Sequence, residues 1–506
     1  MRQRLEIPPG INTDDTAFKY PGTWRDCDQV RFWKSVPEAI GGWESVTNDT
    51  LDGVCRSILT WVDSSSVPNI ALGQHDALTI CQDSTLYDIT PSSGFTAGSI
   101  DGTGGAGYGT GTYGTGDYSE PSTADFFPLT WSLSNWGESL MANPRGQTIF
   151  WWENDTGTPA AALSNAPDSV TYALVTYTRQ VMAFGCNEEV SGDFNPMCIR
   201  FSDTEDPEDW TTASDNNAGE VILEGSGRIV SAKVIGEYLF VWTDNSLFQG
   251  TFTGDNTQPW VFNKLGDNCG LAGPNSATVV SQTAYWFSSQ NRFLTCSLGG
   301  TPQLIYVSCG DDMASHIAPS QSDKIVSTSI SKFNEVWWFY PDERDGLENS
   351  RYVSLSLEDG SAARGTLART AFCDLPAGQN LYPIATTFDG VIYYQEKGIT
   401  ADGDVRTWFL ETSDFYIDEQ ERCMMVKCMW PDFQRQTGPI WVTLSGLQYP
   451  QSDPEVFSDQ VLTANTTKID FRFSGRLIRV RLSGNSAPSD MRLGVPVYDI
   501  SPAGDR

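Results

Sequence analysis

One module occurs twice between Val230 and Gly300, and it constrains this chain more than any other feature. The segments VSAKVIGEYLFVWTDNSLFQGTFTG and ATVVSQTAYWFSSQNRFLTCSLGG each give a short polar-flanked strand, a turn, a strongly apolar aromatic strand, a second turn and another strand. In the first copy Tyr238 to Trp242 is followed by Thr243-Asp244-Asn245-Ser246 and then Leu247 to Phe252; in the second, Tyr285 to Phe287 leads through Ser288 to Arg292 into Phe293 to Cys296. Runs of Val, Tyr, Phe and Trp bounded by Asn, Asp, Ser and Gly are strand signals with turn chemistry between them. Each copy therefore predicts a small antiparallel meander, and the spacing of about 47 residues is that of blade repeats.

A lone meander cannot bury its apolar face, so it must stack on its neighbours. Diverged versions recur at Ile70 to Ile89, Tyr172 to Phe201, Ile325 to Leu357 and Ile384 to Gln395. A radial stack of such sheets leaves few open edges, so the expected fold is all-β, a β-propeller of about six blades. The last blade, around TTFDGVIYYQEKG, is expected to be closed by Thr407 to Glu411. After Asp414 the composition changes, and VKCMWPDF, GPIWVTLSGLQYP and TTKIDFRFSGRLIRVRLSG predict a small sandwich in which Ile478, Val480 and Leu482 face one way and Leu477, Arg479 and Arg481 the other. At the other end, alternation in DQVRFW puts Val30 and Phe32 on one face and Arg31 and Trp33 on the other. The expected organisation is an N-terminal arm with a platform strand (1–50), an acidic propeller (51–413) and a C-terminal β-rich platform (414–506) completed by the N-terminal segment. A Gly/Thr/Tyr tract at 92–120 has no apolar period and predicts a long inserted loop, a mobile surface element or one reaching a neighbouring subunit. No Gly-Lys-Ser/Thr follows its glycines, which excludes a phosphate loop.

Charge is distributed as unevenly as the fold. Of a net −32, about −30 falls in residues 51–418; residues 1–50 carry 6 basic and 8 acidic side chains, and residues 419–506 carry 10 of each. The acidic part is disfavoured for tight phosphate binding, which needs Lys and Arg to displace counterions. It suits solubility, a salty host environment, or a surface that faces DNA without gripping it. Eleven cysteines without a C-x-x-C pair and only two histidines, His75 and His316, supply a zinc site poorly and predict free thiols in a reducing compartment. No apolar run approaches the ~18 residues of a spanning helix, and MRQRLEIPPGIN has no hydrophobic signal core, so a soluble chain without membrane insertion or a secretory leader is expected.

Two groups of residues stand out as candidate sites. Asp203, Asp206 and Asp209 in IRFSDTEDPEDW form either an exposed acidic turn or a weak cation site, in a segment that departs from the Asp-box turns of sialidase propellers by losing their Gly and Thr. Arg472, Arg476, Arg479 and Arg481 are the main basic cluster, either a solvated strand face or a contact with another subunit or protein that pairs with carboxylates. No G-x-S-x-G, no H-E-x-x-H and no ordered nucleophile, base and carboxylate occur, so no catalytic residue, metal site or cofactor is expected.

Several stretches, in order, also resemble one family. Gly22-x-Trp24-x-Asp26-x-Asp28-x-Val30-Arg31-Phe32 followed by Pro37-Glu38-x-Ile40-Gly41-Gly42-Trp43, then Leu86 to Pro91, Trp131 to Gly146, Ile199 to Trp210, Leu265 to Ser276, SGRLIRVRL and RLGVPVYDISPAGDR, resemble the tail nozzle or tail tube proteins of short-tailed (podovirus-type) bacteriophages across essentially the whole chain. That resemblance implies a structural virion protein of the tail, assembled in the host cytoplasm as a homo-hexameric ring. Its platform would dock on the head-to-tail adaptor, its propellers would form the tube wall, tail fibres or spikes could attach, and double-stranded DNA would pass during ejection. A receptor- or carbohydrate-binding propeller of a virion, and a propeller glycosidase, are the other readings of the same residues.

Overall fold

The computed structural model describes residues 2–17, 19–102, 127–376, 378, 381–416, 423–449 and 452–503. Most of the tract expected as an inserted loop lies outside the described residues. Within them, seven four-stranded antiparallel sheets follow one another along the chain. Blade 1 runs from Cys55 to Asp88, blade 2 from Trp131 to Ala162, blade 3 from Tyr172 to Ile222, blade 4 from Ile229 to Asp267, blade 5 from Ala277 to Leu304 and blade 6 from Val326 to Thr366. Blade 7 takes Ala371–Cys373, Ile384–Thr386 and Ile392–Gln395 from one end of the propeller sequence and Trp43–Ser45 from the other.

The first strands of blades 7, 1, 2, 3 and 4 lie against one another in turn, as do those of blades 5, 6 and 7. Blades 4 and 5 meet through a shared core in which Trp242 and Trp286 pack edge to face with ring centroids 5.7 Å apart. Each neighbouring pair thus has its own wedge: Trp61, Leu78 and Ile80 against Trp131 and Trp152 between blades 1 and 2, for instance, and Cys55, Ile70 and Leu72 against Ala371, Ile384 and Ile392 between 7 and 1. The β-propeller expectation holds, with seven blades rather than about six. The unit missed from sequence is blade 2, whose outer strands are only three and two residues long, Phe150–Trp152 and Ala161–Ala162, and which follows the Gly-rich tract that breaks the repeat spacing.

Closure also differs from expectation. Trp43 pairs with Gln395 and Ser45 with Tyr393, so the early chain supplies the outermost strand of the last blade. Trp408–Thr412, expected in that place, instead pairs with Trp24–Asp28 and with Leu477–Gly484. Trp408 and Leu410, on one face of that strand, are fully buried in the platform core.

The platform consists of three sheets. A five-stranded sheet has the order Trp24–Asp28, Trp408–Thr412, Leu477–Gly484, Ile440–Leu447, Glu455–Leu462; a four-stranded sheet has the order Arg2–Arg4, Val497–Pro502, Met424–Trp430, Ile469–Gly475. Alternation in Ile469–Gly475 sends Ile469, Phe471 and Phe473 inward and Asp470, Arg472 and Ser474 outward, as a half-buried strand requires. The third sheet, Val30–Trp33, Val36–Ala39, Asp490–Leu493 and Phe433–Thr437, lies toward blade 6. Its Val30 and Phe32 belong to one apolar cluster that runs from the platform core into the wedge between blades 5 and 6, through Phe293, Met313 and Trp338.

Candidate functional site: the propeller–platform joint and the charged faces

The joint is built around Arg31. Because Val30 and Phe32 turn into the core, Arg31 points to the opposite side of its strand and meets the propeller with 1% exposure. Its two Nη atoms donate to the carboxylate of Glu396 in blade 7 at 2.8 and 2.6 Å, and its Nε lies 3.3 Å from Glu335 of blade 6. Phe333 caps the guanidinium at 3.7 Å from its ring centroid. The backbone must approach closely here. A Cβ on Gly41 would fall 2.6 Å from the Glu396 backbone, and one on Gly42 would fall 2.3 Å from the Thr400 carbonyl. Gly41 N–H also donates to Glu396 at 2.9 Å.

Two carboxylates share one cation, and they share it unequally. Burial pushes both up, but Arg31 and the Gly41 N–H overcome that at Glu396 and hold it below the ordinary carboxylate range. Glu335 receives the weaker edge of Arg31 and a 2.8 Å bond from the Trp337 indole, so desolvation prevails and its carboxyl is pushed up to about 7. Around this core, Arg492 donates to Glu38, Arg435 pairs with Asp490, and Arg406 donates to the carbonyls of Ile40 and Ser489. On the flank, Asp28 accepts from the N–H and hydroxyl of Thr366 at 2.7 and 2.8 Å, and Arg364 pairs with Asp26 at 3.0 Å. Sequence reading missed this joint as a site. The signal was Arg31 on the polar side of VRFW followed by two adjacent glycines.

A second cluster of buried cations lies among the loops that lead into the inner strands. Arg56 makes a bidentate pair with Glu348 at 3.1 and 2.8 Å and donates to Ile100 O at 3.0 Å. Lys324, whose side chain is fully buried, reaches Asp101 at 2.6 Å and Leu347 O at 2.7 Å. Gln321 exchanges two hydrogen bonds with Gly102, at 3.0 and 2.7 Å. Arg145 pairs with Asp323 at 3.0 Å, and the guanidiniums of Arg145 and Arg228 each lie 4.1 Å from the Phe127 ring. Loops of blades 1, 2 and 6 are tied together here by charge-assisted bonds, and Arg228 ahead of blade 4 joins them through the Phe127 ring.

The arginines expected as one cluster divide. Arg479 pairs with Asp414 at 2.9 Å and approaches Glu411 at 3.4 Å, while Arg481 pairs with Glu411 at 3.0 Å and lies over the Phe409 ring at 3.6 Å. Arg472 is exposed on the outside of the other sheet, and Arg476 sits in the turn between the two strands, its N–H donating to Leu447 O. Arg479 and Arg481 are therefore already matched by carboxylates of their own chain. The acidic turn is a hydrogen-bonded frame: Asp203 accepts from Asn217 N–H at 2.7 Å, Asp206 from Glu208 N–H at 3.0 Å, and Asp209 from Thr211 N–H at 3.2 Å and from the Asn216 amide at 2.9 Å. These bonds hold Trp210 in the core at 1% exposure. Among the described residues no group of three His, Cys, Asp or Glu side chains is arranged to hold a metal ion, all eleven cysteines are free thiols, and no helix is long and apolar enough to cross a membrane.

Comparison with known proteins gives no match to a family model. It gives no match to a curated protein either. Among solved structures, the computationally designed Ika8 protein matches at 12% identity with a TM-score of 0.39, over 70% of this chain and all of its own. The β-propeller domain of Myceliophteria thermophila Cps50 (Swd1) matches at 10% identity with a TM-score of 0.39, over 68% of this chain and 98% of its own. The propeller assignment rests on the strand order itself: seven successive four-stranded meanders, the last completed by the early strand Trp43–Ser45.

Proposed function

We propose that this chain is a structural subunit of the tail nozzle or tube of a short-tailed bacteriophage. In this reading six copies ring a channel, the platform docks on the adaptor, and the propellers form a wall past which DNA travels during ejection. The observation that carries it is the charge partition, with about −30 in residues 51–418 and near balance in the terminal segments, across two bodies fastened by the buried Arg31 joint. The family resemblance of the motifs supports the same reading.

The mechanism is physical. Carboxylates on a wall repel the phosphates of a passing duplex within a Debye length of about 8–10 Å, so the polyanion stays centred and meets no adhesive barrier. The buried ion pairs at the joint and in the inner loops keep each subunit's share of that wall in one shape, so its carboxylates stay where they face the duplex. Electron cryomicroscopy of the purified protein at high concentration tests the reading. Six copies around an axis with an acidic lining are expected, whereas a monomer, or a lumen lined by Lys and Arg, overturns it.

A further inference from the structure

We infer that neighbouring copies join by strand addition, the Glu455–Leu462 strand of one platform pairing with the Arg2–Arg4 strand of the next; this rests on the ring reading above. Both strands are terminal in their sheets. Glu455–Leu462 has a single neighbour, Ile440–Leu447, and Arg2–Arg4 has a single neighbour, Val497–Pro502. An unpaired edge presents a row of N–H and C=O groups ready to accept another strand.

The two edges lie at opposite ends of the platform. Glu455–Leu462 touches Ile469–Gly475, which is the strand farthest from Arg2–Arg4 in the four-stranded sheet. They therefore form two different patches on one molecule, and a contact between them is head-to-tail. Such a contact repeats by rotation and closes into a ring when the angle permits.

Their chemistry is complementary. On the first edge Glu455 and Asp459 are exposed, and Val456 and Val461 on the same strand stand 59% and 50% exposed. On the second, Arg2, Gln3 and Arg4 are all exposed, and Arg4 has no ion pair among the described residues. Beside that second edge lies a groove of about 340 Å³ of mixed character, in which Leu5, Phe415 and Tyr416 offer apolar surface to valine side chains beside Arg4 and Glu6. Opposite charges facing across paired strands fix register, and apolar neighbours supply buried area. In a platform whose charges nearly balance, a basic edge that faces an acidic one selects this pairing by the local arrangement of charge.

The test is the mass in solution of four full-length proteins, by size exclusion with light scattering, with circular dichroism to check that each is folded. Wild type is expected to form a ring. Arg2→Glu with Arg4→Glu, and separately Glu455→Arg with Asp459→Arg, are each expected to raise the concentration for half-assembly by at least about tenfold. The quadruple variant, with both edges reversed, is expected to recover assembly. Rings formed equally well by both double variants, or a quadruple variant that stays dissociated, overturn the strand pairing and leave the ring reading standing. A monomeric wild type overturns the ring reading itself.

Discussion

The propeller and the platform reach a buried core by opposite routes. In the propeller nearly every hydrogen-bonded strand pair is a neighbour in sequence, and each wedge of core involves two adjacent blades. In the platform, Arg2–Arg4 pairs with Val497–Pro502 and Trp24–Asp28 with Trp408–Thr412, so its sheets exist only once both ends of the chain have been made. Non-local pairing must meet loop-closure entropy before contacts compensate it. The propeller is thus locally specified and modular, while the platform and the Trp43–Ser45 closure of blade 7 depend on long-range pairing. The same division appears in charge: the modular body carries the excess carboxylates and the long-range body is balanced.

The largest expected effect that would break this comparison comes at the joint. Arg31→Ala takes from Glu335 and Glu396 the guanidinium they share, and removal of one partner of a buried ion pair costs about 3–5 kcal/mol. Scanning calorimetry is expected to show the platform unfolding below the propeller, where wild type unfolds with the two coupled. An unchanged single transition would mean that the apolar continuity through Phe293 and Trp338 fastens the bodies without the charges.

A comparable loss confined to one side is expected from Trp286→Ala, which empties the wedge between blades 4 and 5 at about 3–5 kcal/mol. Here the propeller transition should fall while the platform fluorescence and oligomeric mass hold. Loss of both together would show the propeller to be less modular than its topology suggests.

The joint also predicts a pH dependence. The folded-state value for Glu335 is pushed up to about 7 from an ordinary 4.5, so its protonated form is favoured by folding. Its contribution is complete below pH 4.5 and is lost as pH rises through 7, by about 3 kcal/mol at most. Glu335→Gln keeps an acceptor for the Trp337 indole and is expected to flatten the slope of stability between pH 5 and 8, measured by urea unfolding. A slope unchanged by the substitution would place the titration elsewhere.

A smaller effect, about 1 kcal/mol, is expected from Asp209→Ala, which removes acceptors for Thr211 N–H and the Asn216 amide. Calcium should not alter its melting, because the carboxylates of this turn serve backbone donors; a calcium-dependent rise in wild type alone would revive the cation reading. Smallest of all, below about 1 kcal/mol, is the partly exposed Arg481–Glu411 pair, tested by a double-mutant cycle in low and high salt.

Much of the propeller was legible because its information is local. Tyr238 to Trp242 and Leu247 to Phe252 are strands in the structure as their alternation and turns predict, and so are Tyr285 to Phe287 and Phe293 to Cys296. Ile478, Val480 and Leu482 face the core as expected, and Arg479 and Arg481 face out. Blade 2 was lost because its outer strands are too short to show a period. The Arg31 site was only hinted at by Gly41 and Gly42 after VRFW, because its carboxylate partners lie more than 300 residues away and a lone arginine in a strand does not announce that it will be buried.

By itself the amino-acid sequence determined the strand-and-turn alternation, the repeat that demands stacking, and the separation of an acidic middle from balanced ends, since all three depend on residues close together along the chain. Only the tertiary structure decided the seventh blade, the early strand that completes it, the transfer of Trp408–Thr412 to the platform and the pairing of Arg31 with Glu335 and Glu396. Those choices turn on which distant strand covers an open edge and which distant carboxylate meets a desolvated cation. Both are set by burial and loop closure in three dimensions, and neither leaves a periodic trace in the sequence.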